Sequence, residues 1–255
     1  MFAGIDIGSR SIELVVQQDG KVVHSARLPT TFSPLEQCQQ ILGGHEPKLL
    51  TATGYGRELV KSLNLPYPIE TITEIKAHAL GAHALFPDAR TVLDIGGQDT
   101  KAIALNANGR VLKFEMNDRC AAGTGKFLEY TATVFQMDVE QFGRYALGGS
   151  NPPVINSMCT VFAETEATSL MAQGIPPSDI ALALHQAVVR RTCTMLKRTG
   201  LESPLVFSGG VAKNACIRKQ LQQELGSTAT VYIAEQPDMC GAFGASLWAE
   251  HSYSE

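Results

Sequence analysis

Apolar-rich runs separated by small polar segments near the N-terminus predict three consecutive β-strands. Strands 2–7 and 12–17 are separated by the small polar segment 8–11, and Asp19-Gly20 separates the second strand from a third at 21–28. An Asp-Gly pair between two strand-like runs is a strong hairpin signal, because both residues accept positive φ angles. The chain therefore begins with a predicted antiparallel three-stranded unit.

The same pattern recurs in the middle of the chain. Strands 91–95, 100–105 and 111–116 are joined by Gly96-Gly97-Gln98-Asp99 and by Asn108-Gly109. In both units the first strand ends on Asp-Ile-Gly, and the hairpin glycine is followed by a basic residue and two apolar residues. A chance match over a whole three-stranded unit is much rarer than a match of one triplet. We therefore predict a duplicated architecture.

Apolar residues at helical spacing predict most of the other elements. Helices are predicted at 75–85, 123–135, 163–171, 178–198, 215–225 and 241–249, and further strands at 48–52 and 205–207. Ser178 or Asp179 is expected to cap the long fourth helix. The last strand leads into Ser208-Gly209-Gly210 before a helix, which is a common way to admit a phosphate or a flat ring close to the backbone.

Composition and charge narrow the class of protein. A chain of 255 residues suits two domains, and 44% hydrophobic with 18% charged residues is typical of a globular protein. The net charge of −4 is small, and the chain carries both acidic and basic residues in similar numbers. This composition gives no support to binding nucleic acid or an anionic membrane. No segment approaches the ~18 apolar residues of a membrane helix, and the start lacks the basic region of a signal peptide. We therefore expect a cytoplasmic protein.

The two repeated turns carry residues that suit phosphate binding. Asp6 and Asp94 would present carboxylates at the strand ends and hold Mg²⁺ through its water molecules. The turn residues that offer amides, hydroxyls or positive charge to an anion are Gly8, Ser9, Arg10, Ser11, Gly96, Gly97, Thr100 and Lys101. Either turn alone is also compatible with a simple hairpin. Because two such turns occupy equivalent positions, we favour a polyphosphate gripped between them.

Two of the six cysteines, Cys120 and Cys159, are each predicted to open a helix. The positive potential at a helix N-terminus suits a thiol to be a metal ligand or a nucleophile. Two buried thiols near a nucleotide site are the alternative. Two thiols fill half of the four positions of an iron–sulfur cluster, so two chains related by a two-fold axis would complete one. The remaining cysteines are expected to be buried thiols: Cys38, Cys193, Cys216 and Cys240.

The glycine-rich turns and the cysteine segments resemble the motifs of known proteins. Asp6-Ile7-Gly8-Ser9, Asp94-Ile95-Gly96-Gly97 and Ser208-Gly209-Gly210 are similar to the phosphate-1, phosphate-2 and adenosine motifs of the actin/Hsp70/sugar-kinase superfamily. The ten residues from Cys120 and the six from Cys159 resemble the activator (component A) of 2-hydroxyacyl-CoA dehydratases and the related benzoyl-CoA reductase ATPase subunits. These belong to the BadF/BadG/BcrA/BcrD-type ATPases, and the cysteine motifs are the more specific.

This resemblance implies an α/β fold of duplicated RNase H-like, actin-like ATPase domains with a nucleotide cleft between them. The first domain would span 1–85, completed by the C-terminal helix 241–255, and the second would span 86–240. The resemblance also implies a homodimer with one 4Fe–4S cluster at the interface. Each protomer would contribute Cys120 and Cys159 as cluster ligands.

The resemblance further implies a site for ATP or ADP with Mg²⁺. Asp6, Asp94 and Gln98 would form the catalytic set, in which the aspartates serve Mg²⁺ and the hydrolytic water. The residues that would contact the nucleotide are Gly8, Ser9, Arg10, Ser11, Gly96, Gly97, Lys101, Gly123, Gly125, Glu164, Gly209, Gly210 and Asn214.

The implied function is ATP-driven transfer of one electron. A ferredoxin- or flavodoxin-like protein would reduce the cluster, and a domain motion driven by ATP hydrolysis would pass the electron to a dehydratase or a CoA-ester reductase. Two other functions stay open. A sugar-type kinase would need a carboxylate base beside its acceptor hydroxyl, for which Asp6, Asp94 and Asp99 are the candidates. A nucleotide-dependent assembly or scaffold protein would need no turnover.

Overall fold

The computed structural model describes residues 1–157 and 159–254, which form two five-stranded mixed sheets flanked by helices. In the first sheet the strand order is β3-β2-β1-β4-β5. The strands are β1 (Phe2–Ile7), β2 (Ser11–Gln18), β3 (Lys21–Pro29), β4 (Leu50–Thr53) and β5 (Ile69–Thr71). The first three strands are antiparallel, and β4 and β5 run parallel to β1.

The second sheet repeats this connectivity in the order β10-β9-β6-β7-β8. Its strands are β6 (Thr91–Ile95), β7 (Thr100–Leu105), β8 (Val111–Asn117), β9 (Leu205–Ser208) and β10 (Val231–Tyr232). An antiparallel meander is again followed by two strands parallel to its first member. The predicted α/β fold with two duplicated halves is therefore confirmed.

The duplication extends to local detail. Asp6 lies opposite Glu13 in the first sheet, and Asp94 lies opposite Lys101 in the second. In each half the pairing of the second and third strands contains a register shift, which lies between Val16 and Gln17 in the first half and between Ala104 and Leu105 in the second. Both hairpin glycines, at positions 20 and 109, have a φ angle of 72°. Equivalent positions in the two halves can therefore be compared directly.

Eight α-helices pack on these sheets within the described part of the chain. They are α1 (Pro34–Leu42), α2 (Glu74–Leu85), α3 (Gly125–Val134), α4 (Val139–Ala146), α5 (Thr160–Ala172), α6 (Pro177–Thr199), α7 (Ala215–Leu225) and α8 (Cys240–Ser254). Helices α1 and α4 were not predicted from the sequence, although Asp138 and Gln141 form a capping box at the start of α4. None of the described helices is both long and apolar enough to cross a membrane.

The predicted cap of the long helix α6 is wrong. The helix begins at Pro177, whose fixed φ angle suits the first helical position. Pro176 occupies the capping position, so neither Ser178 nor Asp179 does. The Asp179 carboxylate instead accepts backbone amides of Ser150 and Asn151, at 2.6 and 3.0 Å. A tertiary contact therefore uses the side chain that local sequence assigns to the cap.

Two helices connect the halves of the molecule, and glycines allow their close packing. A Cβ atom at Gly4 of β1 would lie 2.1 Å from the α8 backbone, and one at Gly244 of α8 would lie 1.8 Å from the Ala77 carbonyl oxygen of α2. Helix α2 also packs against the second sheet. Because α2 and α8 both join the two halves, the predicted domain boundaries at residues 85 and 240 stay a prediction.

Candidate functional site

A cleft opens between the two halves, at the end where both Asp-Ile-Gly strands stop. Its cavity has a volume of about 770 Å³. Residues of both repeated units line it, so the two predicted phosphate turns share one space. The predicted site residues that line the cavity are Asp6, Gly8, Ser9, Arg10, Ser11, Asp94, Gly96, Gly97, Gln98, Lys101, Gly125, Gly209, Gly210 and Asn214.

The two turns share one backbone geometry. Each is closed by an amide-to-carbonyl hydrogen bond of 3.0 Å, from Gly8 to Ser11 and from Gly96 to Asp99. The turns also touch each other, since a Cβ atom added to Gly97 would lie 2.0 Å from Cγ of Arg10. A larger residue at position 97 would therefore displace the Arg10 side chain. Glycine is required here for the close approach of the two halves.

His78 of α2 lies between the two strand-end aspartates. Its Nε2 is 3.8 Å from Oδ2 of Asp6, and its Nδ1 is 3.4 Å from Oδ1 of Asp94. The ring is buried, and this burial lowers the pKa of His78 despite the nearby carboxylates. The imidazole is therefore neutral at pH 7 and has one N–H to offer between two carboxylates. It lies between the candidate catalytic aspartates of the two halves.

Lys101 is a buried cation held by three carboxylates. Its Nζ lies 2.7 Å from Oε2 of Glu74 and 3.1 Å from Oδ2 of Asp94, and it also donates to Asp99. Burial disfavours the ammonium form, but these carboxylates outweigh burial and raise the pKa of Lys101 well above its usual value. Three acceptors match the three N–H donors of an ammonium group. All three N–H donors of the Lys101 side chain are therefore occupied by protein carboxylates.

The carboxylates of the cleft differ in how readily they ionise. Burial, followed by repulsion from Glu13 and Glu74, raises the pKa of Asp6 well above its usual value. Burial also raises the pKa of Glu13 to about 7 and the pKa of Asp99 to about 6. For Asp94 burial again favours the neutral form, but the neighbouring His78 and Lys101, together with hydrogen bonds from Lys101 and Ser208, outweigh burial and lower the pKa. Among the residues that line the cavity, Asp and Glu outnumber Lys and Arg by nine to six, so the cleft is rich in carboxylates.

The surroundings of Asp6 suit a bound cation. His78 Nε2 at 3.8 Å is beyond hydrogen-bond distance, so the Asp6 carboxylate keeps lone pairs that face the cavity. Two glycines enclose it, because Cβ atoms at Gly54 and Gly241 would lie 2.4 and 2.0 Å from its two oxygens. Oxygen ligands and nearby repulsion between carboxylates are conditions that favour Mg²⁺.

The third glycine element borders the cleft on the second sheet. Ser208 at the end of β9 donates to Oδ1 of Asp94 at 3.2 Å. Gly209 follows with a φ angle of 85°, and a Cβ atom there would lie 2.7 Å from the same oxygen. Asn214 caps α7, because its Oδ1 accepts the Ile217 amide at 3.0 Å. Strand, turn and helix start therefore meet at the cavity as the sequence predicts.

Backbone hydrogen bonds join the start of α3 to the second phosphate turn. The Gly125 amide donates to the Gly96 carbonyl oxygen at 2.9 Å, and the Lys126 amide donates to that of Gly97 at 2.7 Å. Docking on this turn fixes where α3 begins. The prediction that Cys120 opens the helix is therefore wrong, since this cysteine lies in the preceding loop.

The two candidate cluster cysteines are exposed, whereas the other four are buried as predicted. Cys159 is the N-cap of α5, and its neighbours Val161 and Phe162 are 56% and 66% exposed. Within residues 1–157 and 159–254 of one protomer, no group of three or more His, Cys, Asp or Glu side chains is arranged to hold a metal ion. An iron–sulfur cluster at Cys120 and Cys159 would require ligands from a second chain.

Two predicted nucleotide contacts lie outside the residues that line the cavity, Gly123 and Glu164. The Gly123 carbonyl oxygen accepts the Thr100 hydroxyl at 2.7 Å, which ties the cysteine loop to β7. The Glu164 carboxylate accepts the Tyr130 hydroxyl at 2.5 Å, which joins α5 to α3. Both residues therefore support the cysteine segments, and their direct contact with a nucleotide stays a prediction.

Sequence reasoning did not select several charged or titratable residues that line the cavity, among them Glu13, Arg27, Glu74 and His78. Glu74 and His78 are four residues apart, hence on one face of α2, a helix otherwise rich in small apolar residues. Two polar residues on one face of a helix of small apolar residues were the sequence signal that could have identified them as site residues. Glu13 and Arg27 carry no local signal, because their meeting depends on strand pairing.

Comparison with known proteins places this site in a family. A model of the BadF/BadG/BcrA/BcrD ATPase family matches residues 3–249. The activator of lactoyl-CoA dehydratase from Anaerotignum propionicum is 37% identical over 255 residues, which cover 96% of this chain and 96% of that protein.

Two solved structures are similar over the whole chain. Component A of the (R)-2-hydroxyglutaryl-CoA dehydratase from Acidaminococcus fermentans has a TM-score of 0.91 at 32% identity, covering 100% of this chain and 99% of the other. The activator of the 2-hydroxyisocaproyl-CoA dehydratase from Clostridium difficile, solved with bound ADPNP, has a TM-score of 0.88 at 34% identity, with coverage of 100% and 96%. The chain therefore belongs to the BadF/BadG/BcrA/BcrD ATPase family.

Proposed function

We propose that this protein hydrolyses ATP to deliver single electrons to a 2-hydroxyacyl-CoA dehydratase or a related CoA-ester reductase. One observation carries the proposal: the turn expected to hold phosphates is hydrogen bonded to the helix that follows the Cys120 loop, from Gly96 to Gly125 at 2.9 Å. Relatives and similar structures named as dehydratase activators support it. The protein would act in the cytoplasm.

The cleft provides what hydrolysis of ATP requires. Glycine amides and hydroxyls of the two turns would bind the phosphates from opposite sides, and Gly209-Gly210 would approach the adenosine. Asp6 and Asp94 would hold Mg²⁺ through its waters, and Gln98 would orient the attacking water. Mg²⁺, when bound, neutralises charge that develops on the transferred phosphoryl group. The buried, neutral His78 lies between the two aspartates, with its ring nitrogens 3.8 and 3.4 Å from their carboxylates.

The donor set fits half of an iron–sulfur cluster. Cys120 and Cys159 are both exposed, and neither is paired in a disulfide. Thiolates from two protomers would supply four ligands to one 4Fe–4S cluster, which carries a single electron when bound. Val154, Val161 and Phe162 are 69%, 56% and 66% exposed. Burial of such apolar side chains against a second copy is favourable, which supports a homodimer closing around the cysteines.

A structural change caused by the bound nucleotide would be transmitted to the cysteine segments through short contacts. The start of α3 follows the second phosphate turn through two backbone hydrogen bonds. Across the cleft, Nη2 of Arg10 lies 2.7 Å from Oε1 of Glu129 on the same helix. A change in the angle between the two halves therefore moves the segment after Cys120. Exposure and local hydrogen bonding are what set the potential of a bound cluster.

The proposed partners follow from this chemistry. A ferredoxin- or flavodoxin-like protein would supply the electron, and the dehydratase or reductase would receive it. A sugar-type kinase is less favoured, because Asp94 and Asp99, two of its candidate bases, both bind the Lys101 ammonium. The comparisons likewise favour an activator over a kinase.

Anaerobic reconstitution tests the proposal. The protein, supplied with iron and sulfide, is expected to bind about four of each per dimer. With dithionite as reductant and a 2-hydroxyacyl-CoA dehydratase as acceptor, dehydration should require both this protein and hydrolysable ATP. ADPNP in place of ATP is the control, because it occupies the site without turnover. A protein that hydrolyses ATP but never acquires iron would contradict the electron-transfer function.

A further inference from the structure

We propose that Arg27 is a phosphate ligand of the bound nucleotide, an inference that rests on the proposed ATPase function. Arg27 lies on β3, opposite Glu13 of β2, which in turn lies opposite Asp6 of β1. The three side chains therefore form one row across the first sheet, and all three line the cleft. Adjacent strands are about 4.8 Å apart, so a long arginine side chain reaches towards the Asp6 position.

Protein carboxylates orient the Arg27 guanidinium through its Nε atom but leave its terminal nitrogens available. Its Nε donates to Oε1 of Glu13 at 3.2 Å and lies 3.4 Å from Oδ2 of Asp238. Neither terminal nitrogen donates a hydrogen bond within the described part of the chain, and the side chain is 46% exposed. These nitrogens carry four N–H donors in a planar fork that matches phosphate oxygens.

Lys101, the cation next to the catalytic carboxylates, is already engaged. Lys101 is buried, and its three donors face three carboxylates. Lys213 binds the Asp238 carboxylate, and Arg10 binds Glu129. Because ATP brings several negative charges into a cleft already rich in carboxylates, it needs a cation that is free to donate. Arg27 meets this need.

The internal duplication supports this assignment. Lys101 and Glu13 occupy equivalent positions, each directly opposite the aspartate that ends its first strand. The second half therefore places a cation in this position, whereas the first half places an anion. In the first half the positive charge is displaced by one strand to Arg27, and the Glu13 carboxylate holds it there. The buried Glu13 thus acts as a positioning residue.

Binding of ATP, ADP, AMP and adenosine to the full-length protein with Mg²⁺, measured by calorimetry, tests the assignment. Loss of charge-assisted hydrogen bonds should weaken ATP and ADP binding by about tenfold or more in Arg27→Gln, with adenosine binding unchanged. Arg27→Lys keeps the charge but not the fork, so an intermediate loss is expected. Arg198→Gln is the matched control, because Arg198 pairs with Glu115 outside the cleft and should bind ATP as the wild type does.

The possible results distinguish a failure of the Arg27 assignment from a failure of the proposed ATPase function. If the wild type binds ATP and Arg27→Gln binds it equally well, the assignment of Arg27 is wrong and the ATPase proposal stands. A parallel loss for adenosine in both Arg27 variants would point to a distorted cleft and would also overturn the assignment. If the wild type binds no ATP, both proposals fail. Thermal unfolding of each variant verifies that it is folded.

Discussion

The amide nitrogen of Gly125 lies 2.9 Å from the carbonyl oxygen of Gly96, so the first residue of α3 is attached to the turn between β6 and β7. The Lys126 amide adds a second bond to the same turn. Cys120 precedes Gly125 by five residues. The turn that is expected to hold phosphates and the loop that carries one candidate cluster ligand are therefore mechanically joined.

Substitution of Gly125 tests this attachment. A Cβ atom at Gly125 would lie 2.9 Å from the Gly96 carbonyl oxygen and 3.3 Å from Val211. Gly125→Ala should therefore push α3 from the turn and destabilise the protein by about 1–3 kcal/mol. ATP should stabilise this variant less than the wild type, because the turn itself is displaced. Thermal unfolding with and without ATP and Mg²⁺ measures both effects.

Gly148→Ala is the control for this experiment. Its added Cβ atom would meet only the Tyr145 carbonyl oxygen, at an ordinary 3.4 Å. Its unfolding temperature and its response to ATP should match those of the wild type. Equal behaviour of the two alanine variants would contradict a tight contact between α3 and the turn.

Glu13 gives the stability of the protein a pH dependence of defined sign. Burial raises its pKa from 4.5 to about 7 in the folded protein, against the lowering effects of Ser11 and Arg27. Between these values the folded state binds more protons than the unfolded state, so stability falls as pH rises through the window. The contribution is fully present below about pH 4.5 and is lost above about pH 7.

The variant Glu13→Gln keeps the size and the oxygen acceptor but cannot titrate. Its free energy of unfolding, relative to the wild type, should therefore rise by as much as ~3 kcal/mol between pH 4.5 and pH 7. Urea unfolding at a series of pH values measures this difference. Glu140→Gln, an exposed site on α4, is the control and should run parallel to the wild type. Parallel curves for Glu13→Gln would show that Glu13 is not the titrating group.

Local signals in the sequence predicted the sheets and the turns well. Asp19-Gly20 and Asn108-Gly109 fix their hairpins through backbone preferences, which act over a few residues, and Gly20 and Gly109 both adopt a positive φ angle. The position of Cys120 was misjudged because docking on Gly96 and Gly97, not the local sequence, decides where α3 begins. Such tertiary contacts leave no periodic pattern in the chain.

The charge cluster of the cleft illustrates the same limit. Asp6 and Asp94 could be selected because each ends a strand before a glycine turn. Glu74 and His78 reach the site from a helix between the two repeated units, so no motif links them to the aspartates. The ion pairs of Lys101 with three carboxylates likewise become visible only in the folded structure.

Removal of the Asp6 charge separates stability from catalysis. Since burial and neighbouring carboxylates raise the pKa of Asp6, Asp6→Asn should make the nucleotide-free protein more stable to heat than the wild type. The same change removes a Mg²⁺ ligand, so ATP hydrolysis should fall by about 100-fold or more. Asp19→Asn, in a hairpin where asparagine tolerates the φ of 51°, should leave both properties unchanged. Unchanged hydrolysis in Asp6→Asn would remove Asp6 from the catalytic set.

The candidate cluster ligands can be tested apart from the ATPase site. Cys120 and Cys159 are exposed and lie outside the residues that line the cleft, so their replacement costs little packing and leaves the nucleotide contacts in place. Cys120→Ala and Cys159→Ala should each lose reconstituted iron and visible absorbance, while ATP hydrolysis stays within about twofold of the wild type.

In the proposed symmetric dimer, each of these single substitutions would remove two of the four thiolates, which is why loss of the cluster should be nearly complete. Cys193→Ala is the matched control: this thiol is buried, and burial raises its pKa to about 11, which disfavours the thiolate that binds iron. It should keep its iron despite some loss of stability. Full iron content in Cys120→Ala or Cys159→Ala would exclude that residue as a ligand, whereas loss of ATPase together with iron would show that the two sites depend on each other for their structure.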